Sequence, residues 1–137
     1  MLNTLEKDNI ELVQETYAAF GRGDFETVFN NFSDDIVWES RYVPNISIHG
    51  TYRGKDRVIE FFKILENTLV VQDYVPEKFL VADDTVVVTG YEHVIVKTTS
   101  KSYKNDWVQV WTIQDRRVVK LQSSNDVAQV LEAFQLN

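Results

Sequence analysis

TVVVTGYEHVIVKTTSKSYKNDWVQVWTI, Thr85 to Ile113, consists of two arms rich in Val, Ile, Tyr, Thr and Trp around the polar Thr98, Thr99, Ser100 and Lys101. β-Branched and aromatic side chains suit a pleated, half-buried surface and small polar ones suit turns, so the stretch predicts one long β-hairpin. Pairing Val96 with Tyr103 sets His93 opposite Asp106, Tyr91 opposite Val108 and Thr89 opposite Val110. Side chains alternate along a strand, so these share one face, while Val88, Gly90, Glu92, Val94, Asn105, Trp107, Gln109 and Trp111 share the other. An imidazole across from a carboxylate has two readings. It is an acid/base couple in which each group tunes the other, or a surface ion pair of little energetic weight.

Working outward, Ile10, Val13, Tyr17 and Phe20 recur at helical spacing between Asp8 and Phe20, and Gly21 and Gly23 end the run. Asp24 suits the N-cap of a short second helix carrying Phe25, Val28, Phe29 and Phe32, and the chain turns at Ser33, Asp34 and Asp35. Ile36 to Val43 alternates as a strand, Pro44 to Gly54 reads as a loop, and Asp56 to Leu65 restores the helical period. Leu69 to Val81 is extended, with Pro76 signalling a bulge or an edge, and Asp83 and Asp84 turn into the hairpin. After a turn at Asp115 to Arg117 comes a last strand, Val118 to Ser123. Asp126 with Gln129 then suggests a variant capping box opening a final helix through Phe134. The order α-α-β-α-β-β-β-β-α predicts the α+β class, with helices against one face of a curved, mostly antiparallel sheet.

At 137 residues the chain fits a single domain, 1–137, with enough length for an ordinary core. It has no Cys and two His, hence no disulfide and no thiolate zinc site, and no acidic loop has calcium spacing. The expectation is no metal and no cofactor. A net charge of −7 argues against nucleic acid as a partner, and Arg53, Lys55, Arg57 and Arg116, Arg117, Lys120 read as solvated faces. No apolar window spans a bilayer and the N-terminus lacks a signal-peptide pattern, so no membrane association and a cytoplasmic location are expected.

Helices laid on a curved sheet leave a cone, and a cone lined by aromatics with a few polar groups suits a hydrophobic small molecule. The expected catalytic residues are Asp106, His93 and Tyr17. The expected ligand-binding residues are Trp38, Ser40, Tyr42, Phe62, Tyr91, Val108, Leu121 and Asn125. For each aromatic, plain core packing is the competing reading. Tyr17 stands out because a hydroxyl on a buried helical stripe must find a partner or cost stability. His49 is either a lining residue at the pocket mouth or a simply exposed one. No G-x-S-x-G nucleophile or Gly-rich phosphate loop is present.

Four stretches, YAAFGRGD (Tyr17 to Asp24), FSDDIVW (Phe32 to Trp38), GTYRGKDRVIEFF (Gly50 to Phe62) and QDRRVVKLQSSND near the end, resemble the nuclear transport factor 2-like superfamily. The likeness is to its SnoaL-like, polyketide cyclase-like branch and runs from about Ile10 to Phe134. One departure is that the turn Asp115 to Arg117 lacks the usual Gly. The resemblance implies the NTF2-like cone, a sheet wrapped around three to four helices. It also implies a homodimer, paired here through a convex face bearing Val88, Val94, Trp107 and Trp111.

Polyketide cyclases of the branch place a His on one strand and an acid/base Asp on the next, which carries over to His93 and Asp106. In ketosteroid isomerase of the same fold, the base position matches Ser40 and the buried protonated Asp matches Asp106. The Asp-Arg-Asp network of the epoxide hydrolases has no match. The family also includes proteins that only bind, so the fold alone does not settle function. The expected function is an acid/base isomerase, cyclase or lyase acting on a hydrophobic, polyketide-like carbonyl compound. The alternative is a non-catalytic hydrophobic-ligand-binding or dimerisation module.

Overall fold

The computed structural model describes residues 1–42 and 46–135, so the predicted strand end at Val43 and the loop start at Pro44 lie outside the described residues. The first helix, α1 (Thr4–Gly21), starts before its apolar stripe because Asn3 and Glu6 form a capping box there. Asp24 caps α2 (Phe25–Asn30) by accepting from the Thr27 N–H, which anchors a helix too short to persist alone. The next strand, β1 (Phe32–Arg41), takes in the segment expected as a turn, with an irregular register between Phe32 and Val37 absorbing it. The expected loop contains a strand, β2 (Gly50–Arg53), paired antiparallel to β1. Four residues are too few to show an alternating pattern against the neighbouring Gly and His.

The remaining elements are α3 (Lys55–Thr68), β3 (Leu69–Ala82), β4 (Thr85–Val96), β5 (Ser102–Gln114), β6 (Arg117–Asn125) and α4 (Val127–Phe134). The sheet order is β2-β1-β6-β5-β4-β3, and only the β1–β6 pair is parallel. Pro76 sits on the edge strand β3 beside a register shift between Pro76 and Lys78, the kind of position where a residue without an N–H is tolerated. The β5–β6 turn uses no Gly, and Asp115 and Arg116 adopt φ of 51° and 62° instead. Asp126 caps α4 through the Ala128 N–H. Gln129 closes no box, because its side chain accepts from the Lys104 N–H of β5.

The hairpin forms, but two residues tighter than expected. Ser100, at φ 60°, closes a four-residue loop in which its N–H donates to the Val96 carbonyl at 2.8 Å, while the Val96 N–H donates to Lys101 at 2.8 Å. Val94 therefore pairs with Tyr103, His93 with Lys104 and Tyr91 with Asp106. A shift of two keeps each residue on its face, and the faces are reversed from expectation. Val86, Val88, Val94, Val96, Tyr103, Trp107, Trp111 and Ile113 all point into the core. Burying a large apolar side chain is worth about 1.5–3 kcal/mol, and this face carries both tryptophans of the hairpin. The patch expected to bind a second copy is thus core. Gly90 makes room for it, since a Cβ there would stand 2.3 Å from the Val75 carbonyl and 2.6 Å from the Trp107 ring.

Candidate functional site

Between helices and sheet lies a cavity of about 440 Å³. The helices supply mostly rings, Tyr17 and Phe20 from α1, Phe25 and Phe29 from α2, and Phe61 and Phe62 from α3. The polar groups come chiefly from the sheet side: Ser40, Tyr74, Glu92, Gln109 and Ser123, with Tyr42 just past β1. This division follows from the sequence. The helical stripes at i, i+3 and i+4 are aromatic, whereas the inward faces of β4 and β5 interleave Glu92, Asn105 and Gln109 among Val and Trp.

Glu92 is the only carboxylate among the described residues that is buried, at 5% exposed. Tyr103 donates its hydroxyl to Glu92 Oε1 at 3.2 Å, and Asn105 and Tyr42 also hydrogen-bond the carboxyl. All three partners are neutral, and among the described residues no cation forms a salt bridge with it. Burial pushes its pKa up to about 7, and the hydrogen bonds pull against that rise without cancelling it. The carboxyl is therefore poised to hold or release a proton near neutrality.

A second polar cluster forms a hydrogen-bonded chain. Trp111 Nε1 donates to the Tyr17 hydroxyl at 3.1 Å, Tyr17 donates to Gln109 Oε1, and Gln109 Nε2 donates to the Tyr74 hydroxyl at 2.8 Å and Ser123 Oγ at 3.4 Å. Burial holds the Tyr17, Tyr74, Tyr42 and Tyr103 phenols above their ordinary pKa, so they remain protonated donors.

A sequence profile of the SnoaL-like domain matches residues 13–121. The chain belongs to the SnoaL-like family. No curated protein matches it. Among solved structures, an NTF2-like protein from Burkholderia xenovorans LB400 superposes with a TM-score of 0.86 at 22% identity, covering 97% of this chain and 100% of that one. A Bacillus subtilis protein provisionally described as an isomerase gives 0.80 at 19% identity, covering 96% and 95%. TerC, co-crystallised with polyporic acid, gives 0.75 at 22% identity, covering 92% and 97%. These likenesses confirm the NTF2-like α+β fold.

In this SnoaL-like domain Tyr17, Trp38, Ser40, Tyr42 and Phe62 line the cavity. Ser40 spends its proton on the Ile48 carbonyl at 2.5 Å, and half-buried His49 accepts the Tyr42 N–H on Nδ1 at 3.0 Å, so both pin the chain beside the cavity. His93 and Asp106 do share a face, but it is the outer one, and neither lines the cavity. Each faces a different cross-strand partner, His93 meeting Lys104 and Asp106 meeting Tyr91. Tyr91 and Val108 lie on the same outer face, 38% and 41% exposed. Leu121 is wholly buried in the core, paired across strands with Trp38 and Trp111. Asn125 serves the scaffold, accepting from Asn105 at 2.6 Å and donating to the Arg41 carbonyl at 3.0 Å.

Glu92, Tyr74, Tyr103 and Gln109 were absent from the expected site. The signal for Gln109 was present, as a polar residue set between Trp107 and Trp111 on one face of its strand, whereas Glu92 lies between Gly90 and Val94 and stood out less.

Proposed function

We propose that this SnoaL-like protein is an acid/base enzyme of the isomerase or cyclase type acting on a hydrophobic carbonyl compound, with Glu92 as its proton-transferring group. The observation that carries this reading is a buried carboxyl with only neutral partners, held near pH 7 on the wall of an aromatic cavity. The Glu92 carboxylate takes a proton from the carbon beside the carbonyl, the C–H electron pair moves into a C=C bond, and the carbonyl oxygen becomes the enolate oxygen. Where a C=C bond adjoins the acidic carbon, the dienolate takes the proton back from Glu92 at its far carbon, giving an isomer. Alternatively the enolate carbon attacks a second carbonyl carbon, closing a ring, and that carbonyl's oxygen takes the proton back from Glu92. The rings of the cavity exclude water and stack on a flat substrate. TerC, of the same fold, was crystallised with polyporic acid, and the B. subtilis neighbour carries the provisional description isomerase, both of which support a small-molecule site here.

The bicyclic ketone β-tetralone in deuterium oxide tests this. Exchange of its α-protons, followed by NMR, should be accelerated by the protein, with a rate that rises with pH through about 7 as Glu92 ionises. Glu92→Gln should lower that rate by roughly 100-fold or more, the usual size of a general-base contribution. Asp106→Asn and His93→Gln should leave it unchanged. Equal exchange by wild type and Glu92→Gln would refute the assignment and favour a domain that only binds.

Two copies of the domain, we further infer, pair through the outer face of β3, β4 and β5. That face shows Leu80, Tyr91 and Val108, between 38% and 57% exposed, in place of the buried tryptophans.

A further inference from the structure

Tyr74 has a proton to give and nothing in the described protein to give it to. Its position is set by β3, where it is the cross-strand partner of Glu92, and both side chains line the cavity. Its ring is wedged in place, stacked on Trp107 at 4.8 Å and 17° between planes, with Phe20 at 5.7 Å and Tyr17 at 6.3 Å.

The direction of the hydrogen bonds follows from chemistry alone. An indole N–H can only donate, so Trp111 fixes Tyr17 as its acceptor and leaves the Tyr17 proton for Gln109. Gln109 must accept that proton on its carbonyl oxygen. Its amide nitrogen, which can only donate, is thereby turned toward Tyr74 and Ser123. The Tyr74 oxygen is thus an acceptor in this chain, and its own O–H has no acceptor among the described residues. Each hydrogen bond polarises the next, so a phenol that already accepts from an amide is a stronger donor.

We propose that Tyr74 is the donor that meets the substrate carbonyl oxygen, and that Trp111, Tyr17 and Gln109 are positioning residues that aim it. The inference rests on Glu92 being the base: the base and the donor stand on paired strands, as removing a proton beside a carbonyl and stabilising the resulting enolate require. Tyr17 is not the oxyanion donor, because its hydroxyl is committed at both ends. The ligand class this selects is a flat apolar body with one carbonyl set beside an acidic C–H.

β-Tetralone labelled at its carbonyl carbon is the probe, read by difference infrared spectroscopy. Tetralin, which lacks the carbonyl, is the control. Bound to wild type, the ketone should show a carbonyl stretch below its value in a hydrocarbon solvent. Tyr74→Phe should return the stretch to that value, weaken ketone binding about three- to tenfold as for one neutral hydrogen bond, and leave tetralin binding unchanged. The same substitution should slow α-proton exchange roughly 100-fold. Tyr17→Phe should lessen the infrared shift without abolishing it. Glu92→Gln should lower exchange roughly 100-fold or more and keep the shift.

An unchanged stretch in Tyr74→Phe, with exchange still dependent on Glu92, would overturn the Tyr74 assignment and leave the base in place. Exchange indifferent to Glu92, with a Tyr74-dependent shift, would sink the base and leave the hydrogen bond demonstrated. If Tyr74→Phe fails to fold, wild type decides alone, because a bound ketone with the hydrocarbon frequency overturns the proposal. Failure to take up either compound overturns both readings.

Discussion

Glu92 and Asp106 are both carboxylates on the central hairpin, yet one is 5% exposed in the cavity wall and the other faces outward. Burial is what lifts the Glu92 carboxyl toward neutral pH, where a general base is most useful. It also has a cost in stability whose sign is fixed. With a folded pKa of about 7 against 4.5 for the free group, the unfolded chain loses this proton first as pH rises. Below pH 4.5 both states are protonated and the burial carries no ionic penalty. Between 4.5 and 7 the penalty grows, and above 7 it is constant at about 3 kcal/mol. Thermal melts of wild type and Glu92→Gln should therefore diverge as pH rises across that window, the variant becoming relatively more stable. A constant difference between the two from pH 5 to 8 would show that Glu92 titrates normally in the folded protein.

The hairpin element owes its shape to a few backbone positions. Gly90 lies opposite Trp107, and its missing Cβ lets the indole lie across the strand and stack on Tyr74. Gly90→Ala places a methyl within 2.6 Å of the ring and 2.3 Å of the Val75 carbonyl, so strand and ring must both shift. Overpacking of this kind costs about 1–3 kcal/mol, and here it should also displace Tyr74. The expected outcome is a folded protein with a lower melting temperature and weaker carbonyl binding. Full retention of both would mean the β3–β4 pair is slacker than its geometry shows. The Ser100 turn matters equally, because its left-handed residue sets the register that gives Asp106 to Tyr91 and Lys104 to His93.

At the scale of the molecule, one sheet shields the cavity on its inner side and offers half-exposed Leu80, Tyr91 and Val108 on its outer side. Sedimentation at micromolar concentration should show a dimer. Val108→Lys, which sets a charge in the middle of that face, should shift it to monomer while leaving the fold and β-tetralone exchange intact. A wild-type monomer would end the pairing proposal without touching the site. No helix among the described residues is long and apolar enough to cross a membrane.

Local pattern determined the order of the elements other than β2, the caps at Asp24 and Asp126, the bulge or edge signal of Pro76 and the helical rings of the cavity, because each depends on neighbours within a few residues in sequence. It also determined which hairpin residues share a face, since alternation survives a two-residue slip. Which face turns inward was decided only in three dimensions. Both faces mix Val with aromatic and charged residues, and the choice rests on total apolar area buried against α1 and β3, where Trp107 and Trp111 outweigh Tyr91 and Val108. Once that face turned in, Glu92 went with it, and its pKa, its tyrosine partners and its pairing with Tyr74 followed from contacts between residues 11 and 50 positions apart in the chain. Tyr74 and Glu92 are separated by 18 residues and Tyr42 and Glu92 by 50, distances over which no sequence period carries information.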